Sequence, residues 1–599
     1  MTSKTNLKRI REIYLRNDND DLDNTVSEDD KSSSGSDSDY CGSETESNDT
    51  STDEYISKDD DSSDSYAADN DTNINIQPDT LEKNGVRWTK ECNSNHGRLR
   101  ATNILKKKAG AVTSVNTIVD AFKLFLIDEI LDAIILHTNN YARRYYNQLN
   151  QKRNAGIYKS KLILWKELDR IELEAFLGLL IQAGAAHMNH RSIDELWDIS
   201  KNCPLYRATM ALKRFQNLLR FIRFDDRLQR NKSDRLAPVR YILESFAKQL
   251  PRHFIPGDNV TVDEQLVPFR GRCSFVQYMP GKPSKYGIKF WLLCDVDVRY
   301  TLALELYAGK INNVIQRNLS TDVVLRLIDK LSDQVKQGRS VTYDRYFTSF
   351  ELADGLLERK MTSLGVVNHK RSFVPGELKI IRNNLYSSWF YFSGVHTLLS
   401  YQAKQKKPPI ILLSTMHNIS EVFDDEIKLP VMIHDYNQTK FGVDVMDQCI
   451  NGYTVRRISK RWPMIVFFNL IDIAAINAMT LWLCKYPNWH NQRKHVRRLF
   501  LEELGRSLTN PHNTRRSEQS GHALEVKLAL QSLGFVLKPK LLINQVHMEN
   551  SVKRKRRCYM CPSHPGRKVQ QVCDICKYNV CRSHSSSFTS VICHSCAEK

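Results

Sequence analysis

Three features common in other protein classes are missing from this sequence. The first 17 residues contain no apolar stretch ahead of a small-residue cleavage site, so they do not resemble a secretory signal. Seven of the 14 cysteines are scattered over residues 41–484, which favours a reducing compartment over a disulfide framework. The best candidate for a membrane span, residues 464–484, contains Asn469, Asp472 and Asn477, which would be costly in lipid. We therefore expect no membrane partner and a buried helix at 464–484.

Charge is divided unevenly along the chain. Residues 1–80 carry 22 acidic against 7 basic side chains, a net charge of −15, which leaves +34 on the rest of a protein whose total is +19. A basic excess of that size attracts polyanions, because phosphate neutralisation releases condensed counterions. Nucleic acid is the first partner to consider. An anionic membrane surface is the alternative, but no basic amphipathic helix supports it.

Composition predicts a multi-domain α/β protein of 599 residues. Residues 1–110 are rich in Asp, Ser and Asn, and we expect them to be disordered, as a regulatory or merely solvating tail. Apolar residues recur at helical spacing through residues 111–257 and again at 454–535. Between these helical segments lie five β-rich runs: NVTVDEQL, KFWLLCDV, YTLALELYA, SVTYD and TSLGVV. Residues 371–430, with Lys404, Lys406 and Lys407 before two prolines, are predicted to be an irregular insertion.

Four acidic residues stand out by their position. Asp263 and Asp344 follow β-rich runs, while Asp444 and Asp447 are one helical turn apart in KFGVDVMDQ. Carboxylates from neighbouring strand ends and a facing helix can converge into a hard-oxygen site for Mg²⁺ or Mn²⁺. Taken singly, an Asp at a strand end is more often a turn former or a helix cap. Spacing alone therefore leaves the metal site open.

The surrounding segments decide in favour of a family. Five segments closely resemble piggyBac-family transposases in sequence, order and spacing, and the resemblance runs from about residue 115 onward. They are VDEQLVPFRGRCSFVQYMPGKPSKYGIKFWLLCD, TYDRYFTS, ILLSTMHN, YNQTKFGVDVMDQ and KRWPMIVFFNLIDIAAINA. The resemblance implies a ribonuclease H-like catalytic domain from residues 258–370 and 431–453, interrupted by the 371–430 insertion. It also implies a helical dimerisation and DNA-binding domain from residues 111–257 and 454–535.

The resemblance assigns roles as well as folds. Asp263, Asp344 and Asp444 correspond to the family's catalytic triad and Asp447 to its additional essential acid, together holding two Mg²⁺ or Mn²⁺ ions. The implied function is a nuclear, dimeric cut-and-paste transposase that cleaves transposon terminal inverted repeats through a DNA hairpin and inserts at TTAA. The alternative is a domesticated derivative that binds DNA without mobilising it. Arg345 stands where the family usually has Asn, and Asn368 where the lepidopteran prototype has Arg. The four intact acids imply cleavage, whereas the Asn368 change puts flanking or target DNA contact, and hence integration, in question.

Basic and aromatic residues near the acids are candidates for double-stranded DNA contacts. Any one of them could instead be a solvated charge, and the tryptophan a core residue. The candidates are Arg270, Arg272, Lys282, Lys285, Lys289, Lys370, Arg371, Arg456, Arg457, Lys460, Arg461 and Trp462.

The C-terminal residues 553–599 contain four ligand pairs at zinc-binding spacing. Alternation predicts a cross-brace of two Zn²⁺ sites, the first formed by Cys558, Cys561, Cys581 and His584, the second by Cys573, Cys576, Cys593 and Cys596. Eight ligands suffice without His564. Such a module could bind protein, as RING-like or PHD-like domains do, but the resemblance favours recognition of transposon ends. The preceding KRKRR suits a nuclear import signal or a DNA-contacting linker.

Overall fold

The computed structural model describes residues 7–12, 77–92, 104–154, 162–309, 318–538, 556–561, 567–573 and 578–585. These residues belong to two compact units, residues 1–537 and 538–599. The first unit is a mixed α/β structure built around a large sheet, so the predicted fold class is confirmed at that level.

Within the described residues of the first unit, thirteen strands are assigned. They are β1 Thr80–Lys83, β2 Val86–Thr89, β3 Gly110–Ala111, β4 Phe254–Ile255, β5 Asn259–Pro268, β6 Gln277–Tyr278, β7 Tyr286–Asp295, β8 Thr301–Leu306, β9 Ser340–Tyr343, β10 Thr362–Val366, β11 Ser388–Ser393, β12 His396–Tyr401 and β13 Ile410–Ser414. The five β-rich runs of the sequence correspond to β5, β7, β8, β9 and β10.

The α-helices of the same unit fall before, between and after these strands, and residues 7–12 add a short helix. They are α1 Ile118–Lys123, α2 Asp128–Asn154, α3 Arg170–Ala185, α4 Ile193–Leu196, α5 Pro204–Thr209, α6 Leu212–Phe221, α7 Arg240–Gln249, α8 Leu319–Ile328, α9 Asp333–Lys336, α10 Phe350–Glu358, α11 Val431–Thr439, α12 Gly442–Gly452, α13 Trp462–Lys485, α14 Val496–Ser517 and α15 Leu524–Ser532. Short 3₁₀ segments occur at Ile199–Lys201, Arg227–Gln229, Leu250–Arg252 and Gly376–Lys379.

Eleven strands form one sheet in the order β1-β2-β11-β12-β13-β10-β9-β5-β7-β6, with β8 also paired to β7. The pairs β5–β9 and β9–β10 are parallel, whereas β5–β7 and β7–β8 are antiparallel. Strand β5 is buried along most of its length, and its apolar and β-branched residues stand on either side of the polar run Asp263–Gln265. The parallel pairing brings the carboxyl end of β9 beside the middle of β5, so Asp263 lies within its strand rather than at the strand end that the sequence suggested.

The prediction that residues 371–430 are irregular was wrong. Residues 371–430 contain β11, β12 and β13, and β13 pairs antiparallel with β10, so this segment widens the same sheet. Its short apolar runs WFYF, TLLSY and IILLS carry the strand signal, because alternate side chains enter the core on each face of the sheet. The prolines and lysines between β12 and β13 form only the connection.

The prediction of disorder for residues 1–110 was also wrong in part. Strands β1 and β2 form a hairpin whose second strand adjoins β11 through Thr89 and Phe392. Trp88 is fully buried there, in a cluster with Trp389 and Tyr391. Burial of one tryptophan provides the apolar area that the polar neighbourhood lacks. Most of residues 13–76 lies outside the described part of the chain.

Helix α13 is the one helix of the described residues that is long and apolar enough to cross a membrane, and its apolar window is wholly buried inside the protein. Its burial against sheet and helices identifies it as a core helix, as expected from its three polar residues. Pro463 lies in its first turn, where a backbone N–H has no partner within the helix, so the N–H that proline lacks costs no hydrogen bond. The helix packs on the sheet and on α12, and so forms one wall of the site described next.

Candidate active site

Two of the four predicted acids meet because of strand register. Strands β5 and β9 run parallel with Val262 opposite Tyr343, so Asp263 and Asp344 follow directly at neighbouring positions. Their carboxylate oxygens, with those of Glu264, lie within 4.8 Å of one another. Asp263 and Glu264 are buried and Asp344 is half-buried. Glu264 is a member of the cluster that the sequence analysis missed, although it adjoins Asp263 in the same motif.

The cluster is electrostatically strained. Burial raises the pKa of Glu264, and the negative charges of Asp263 and Asp344 raise it further, while Lys289 and Lys282 oppose the shift. The Lys289 ammonium is buried among the rings of Trp291, Tyr307 and Tyr346, at 5.3, 5.8 and 5.2 Å from their centroids. Because these rings fix Lys289 in a cation–π cage, it compensates only part of the negative charge.

The other two acids lie on α12, which packs against β5. Asp447 Oδ1 accepts a 2.8 Å hydrogen bond from Gln265 Nε2, and Gln265 is two residues beyond Asp263 on the same strand. Burial raises the pKa of Asp447 despite this bond. Asp444 is more exposed and lies 3.5 Å from Lys282 Nζ, which also donates to the Glu264 carbonyl oxygen at 3.0 Å. Lys282 therefore connects the helix acids to the strand acids.

These residues fit divalent cations of the Mg²⁺ class. Hard cations prefer carboxylate oxygen, and a buried or half-buried group of carboxylates within 4.8 Å is unstable without positive charge nearby. The described cluster contains Asp263, Glu264 and Asp344, whereas Asp444 and Asp447 join the same neighbourhood through Lys282 and Gln265. The acids Asp263, Glu264 and Asp344 can therefore hold a cation, whereas Asp444 and Asp447 are not members of this 4.8 Å cluster.

A second ligand cluster occurs in the C-terminal unit. The described part of that unit contains β14 Arg556–Arg557, β15 Lys568–Val569 and a 3₁₀ turn at Arg582–His584. Cys558, Cys561, Cys581 and His584 form one group there, which is the first ligand set predicted from the sequence. Cys576, Cys593 and Cys596 of the second set lie outside the described residues, as does His564.

The distances in this group match tetrahedral zinc. Cys561 Sγ is 3.8 Å from Cys581 Sγ, and His584 Nδ1 is 3.8, 3.5 and 3.4 Å from the sulfurs of Cys558, Cys561 and Cys581. Zinc–sulfur bonds of about 2.3 Å and a zinc–nitrogen bond of about 2.0 Å predict ligand separations of roughly 3.6–3.8 Å in a tetrahedron. Three thiols and an imidazole are also the chemistry of structural zinc sites.

Comparison with known proteins assigns the chain to a family. A sequence-family model described as Transposase IS4 matches residues 117–479. The protein belongs to the piggyBac family of transposases. It is similar to the human PiggyBac transposable element-derived proteins 3 and 2, with 24% identity over 386 residues and 23% over 385. These alignments cover 60% and 61% of this chain and the same shares of the two relatives, so the chain spans about three fifths of their length.

A solved structure of the family matches this protein over the whole length of the solved chain. It is the cryo-EM structure of a piggyBac transposase synaptic complex with hairpin DNA, which is 31% identical in sequence with a TM-score of 0.66. The match covers 82% of this chain and 100% of that one. The mixed α/β fold thus occurs in a transposase of the same family.

In this piggyBac-family protein, part of the predicted DNA-contact set is exposed. Arg270, Arg272, Lys285, Lys370 and Lys460 are exposed, and Lys282 and Arg371 are half-buried. Arg371 donates to the Tyr346 carbonyl oxygen at 2.9 Å.

Two exposed tyrosines, which the sequence analysis did not single out, lie beside the exposed basic residues. The rings of Tyr278 and Tyr286 are 4.8 Å apart, and the Arg270 guanidinium is 5.3 Å from the Tyr286 ring. The tyrosines are 50% and 42% exposed, so part of each side chain faces solvent. Their signal in the sequence was the alternation of Tyr with basic residues on either side of the GKPSK loop.

The remaining candidates face inward. Arg457 donates to the carbonyl oxygens of Met188 and Arg191, both at 2.6 Å, and is buried. Arg461 and Arg456 likewise donate to main-chain carbonyls, and burial lowers the pKa of Arg461 to about 9. Such carbonyl bonds join helices and strands of the core.

Lys289 and Trp462 are also engaged within the protein. Lys289 is enclosed in its aromatic cage, and Trp462 packs edge-to-face against Phe275 with centroids 5.0 Å apart. In this conformation the inward-facing residues act as structural contacts, so we leave them out of the DNA surface proposed below. Their contribution to DNA binding stays a prediction.

Proposed function

We propose that the protein is a cut-and-paste DNA transposase whose active site is formed by Asp263, Asp344, Asp444 and Asp447. The observation that carries this proposal is the meeting of Asp263, in the middle of β5, with Asp344, directly after the parallel strand β9, while Asp447 is bonded to β5 through Gln265. The strand order β8-β7-β5-β9-β10, antiparallel and then parallel, supports a ribonuclease H-like core.

In the proposed mechanism the strand and helix acids would hold two Mg²⁺ or Mn²⁺ ions. When bound, such ions would activate the attacking oxygen and stabilise the leaving 3′-oxygen of a phosphodiester. Asp263 and Asp344 hold fixed positions because the sheet sets their backbone, while α12 presents Asp444 and Asp447 from the facing side. Lys282, which lies between the two sets, would contact the phosphate that enters the site.

The exposed basic residues and the tyrosine pair would guide DNA toward this site. Arg270, Arg272 and Lys285 provide phosphate contacts, and Tyr278 with Tyr286 provides ring faces on which an unpaired base can stack. Strand register places Gly287 opposite Pro268, five residues along β5 from Asp263. At about 3.4 Å per residue the tyrosines would contact DNA roughly 17 Å from the scissile phosphate.

We further propose that hydrolysis of one strand frees a 3′-hydroxyl at the transposon end. This hydroxyl then attacks the phosphodiester of the opposite strand, displaces the 3′-oxygen of the flanking DNA and forms a DNA hairpin, and after hairpin opening the element inserts at TTAA. The synaptic complex of the similar transposase contains hairpin DNA, which supports the same intermediate here. Recognition of transposon ends is assigned to the zinc module, which would bind one Zn²⁺ in its described ligand group and a second through Cys573 and its partners. Cutting two ends in one reaction requires at least a dimer, and genomic DNA places the reaction in the nucleus.

A plasmid excision assay tests the proposed function. The donor carries a reporter interrupted by the element with its own genomic flanking ends, and repaired products are sequenced for restored TTAA. We expect wild-type protein to produce them, Asp344→Ala to produce none, and Asp333→Ala, whose carboxylate is exposed on α9, to match wild type. Wild-type protein that binds these ends but never excises them would instead favour a DNA-binding protein derived from a transposase.

A further inference from the structure

Helix α13 contains three buried polar residues in an otherwise apolar sequence. Asn469, Asp472 and Asn477 are 2%, 6% and 0% exposed. Asn477 bonds the main chain of Thr301, from its Nδ2 to the carbonyl oxygen at 3.0 Å and from the Thr301 amide to its Oδ1 at 2.9 Å. Asp472 accepts hydrogen bonds from Thr454 and from the Val455 amide. Asn477 and Asp472 thus satisfy backbone groups, as buried polar side chains commonly do.

Asn469 makes a different contact. Its Nδ2 donates to Gln265 Oε1 at 2.8 Å, so it bonds another side chain rather than the backbone. Gln265 in turn donates from Nε2 to Asp447 Oδ1 at 2.8 Å. Asn469 Oδ1 is buried without a hydrogen-bond partner, so the residue leaves one of its own groups unsatisfied while it bonds Gln265. A residue retained only for packing would not require an amide here.

The order of donors fixes the orientation of the middle residue. A glutamine amide has one accepting and one donating end, and the two ends exchange when the amide rotates by half a turn. With Asn469 donating to its oxygen, Gln265 must present its nitrogen to Asp447. The rotated amide would place oxygen against carboxylate and nitrogen against nitrogen. Asn469 therefore specifies that Gln265 acts as a donor to the acid.

The consequence concerns the geometry of the acidic site. Gln265 lies on the same face of β5 as Asp263, because alternate residues of a strand share a face. Its bond to Asp447 Oδ1 connects the helix acid to the strand that carries Asp263. Asn451, on α12 itself, also hydrogen-bonds the Asp447 carboxylate, so Gln265 is the contact that joins this acid to the strand. Each carboxylate oxygen has more than one lone pair, so a hydrogen-bonded carboxylate can still bind a cation.

We propose that Asn469 and Gln265 form an amide relay that positions the Asp447 carboxylate to bind a divalent cation beside Asp263. The relay rests on the proposed function, because it presupposes that Asp447 is a cation ligand. Both residues are positioning residues, since neither is placed to touch DNA or the ion. Residues that orient metal ligands typically change metal affinity by about 10–100-fold when removed.

The test compares three variants of the full-length protein. Gln265→Met keeps the volume but removes both hydrogen bonds, Asn469→Leu removes the upstream donor, and Asn477→Leu is the matched control on the same face of α13. Mn²⁺ binding is measured by calorimetry in the absence of DNA, together with the melting temperature of each metal-free variant. Donor-end cleavage is then titrated with Mn²⁺.

We expect Gln265→Met and Asn469→Leu to weaken Mn²⁺ binding about tenfold and to recover cleavage at high Mn²⁺. Asn477→Leu should lower the melting temperature yet bind Mn²⁺ as wild type does, because its amide bonds only Thr301. Should Asn469→Leu fail to fold, Gln265→Met decides alone. Wild-type affinity in Gln265→Met would overturn the relay while leaving the proposed function intact. Wild-type protein that binds no Mn²⁺ would overturn the proposed metal site and the relay with it.

Discussion

The most quantitative prediction concerns Asp472, a carboxylate in the core beside α13. Burial raises its pKa to about 7, although Thr454 and Val455 donate hydrogen bonds to it and Arg456 and Arg497 lie nearby. In an unfolded chain an aspartate titrates near pH 4. Between about pH 4 and pH 7 the folded state therefore keeps a proton that the unfolded state has released. Since the folded state binds more protons, stability falls as pH rises through this window.

The size of the effect follows from the two pKa values. Between pH 5 and pH 8 the shift spans about two pKa units, which corresponds to roughly 3 kcal/mol lost from the free energy of unfolding. A cooperative unit of roughly 400 residues unfolds with an entropy of about 0.8 kcal/mol per kelvin, so the loss corresponds to about 3 °C in melting temperature. Asp472→Asn imitates the protonated acid at every pH. Relative to wild type, its melting temperature should rise by about 3 °C between pH 5 and pH 8.

Differential scanning fluorimetry of both proteins across this pH range measures the difference directly, and other titrating groups cancel in the comparison. The opposite result is equally informative. If Asp472→Asn loses more stability at pH 8 than at pH 5, the carboxylate is ionised in the folded protein and serves as counter-charge to Arg497. Arg497 is buried and its Nε lacks a hydrogen-bond partner, so removal of such a counter-charge would leave an uncompensated guanidinium in the core.

Three further predictions test the acidic cluster, the zinc site and the β1–β2 hairpin. Asp344→Asn should abolish excision yet raise the stability of chelator-treated protein by roughly 1–3 kcal/mol, because one of three close carboxylates loses its charge; unchanged stability would mean that the charges are already compensated. His584→Ala should lower zinc content by one ion per chain in native mass spectrometry without changing the main melting transition, and unchanged zinc content would exclude His584 as a ligand. Trp88→Ala should cost roughly 3–5 kcal/mol in denaturant unfolding, whereas the exposed Arg87→Ala serves as control, and equal effects would contradict the burial of the hairpin.

The sequence predicted local structure well where one segment carried the whole signal. The runs that form β5, β7, β8, β9 and β10 contain enough apolar and β-branched residues to predict strands. Strands β1 and β2 were missed because the hairpin is stable only against β11, some 300 residues away in the sequence. Strand β13 was missed as part of the sheet for the same reason, since it lies inside the predicted insertion while its neighbour β10 ends before that insertion begins. Long-range pairing of this kind leaves little trace in local composition.

The candidate site shows the same difference between what local sequence predicts and what long-range contacts determine. Family resemblance identified the four acids, and strand register explains why Asp263 and Asp344 meet. Residue type alone could not separate basic residues that face solvent from those that bond the interior: Arg457 and Arg461 looked like DNA contacts beside Lys460, yet both donate to main-chain carbonyls of distant helices and loops. Asn469 was noticed as polar in an apolar helix, but its partner Gln265 lies about 200 residues earlier, so its bond to the acidic site became visible only in the fold.

The charge balance of the acidic site gives the reason for expecting cations there. Three carboxylates lie within 4.8 Å. The buried ammonium of Lys289, which acts on Glu264, is held among the rings of Trp291 on β7, Tyr307 just after β8 and Tyr346 in the loop after Asp344. A site that needed only structural neutrality would be better served by a lysine free to reach the carboxylates. Because Lys289 compensates only part of the negative charge, the site can still attract a cation from solution. A divalent ion should therefore stabilise the folded protein by mass action. That stabilisation should be smaller in Asp344→Asn, the variant in which the repulsion has already been relieved.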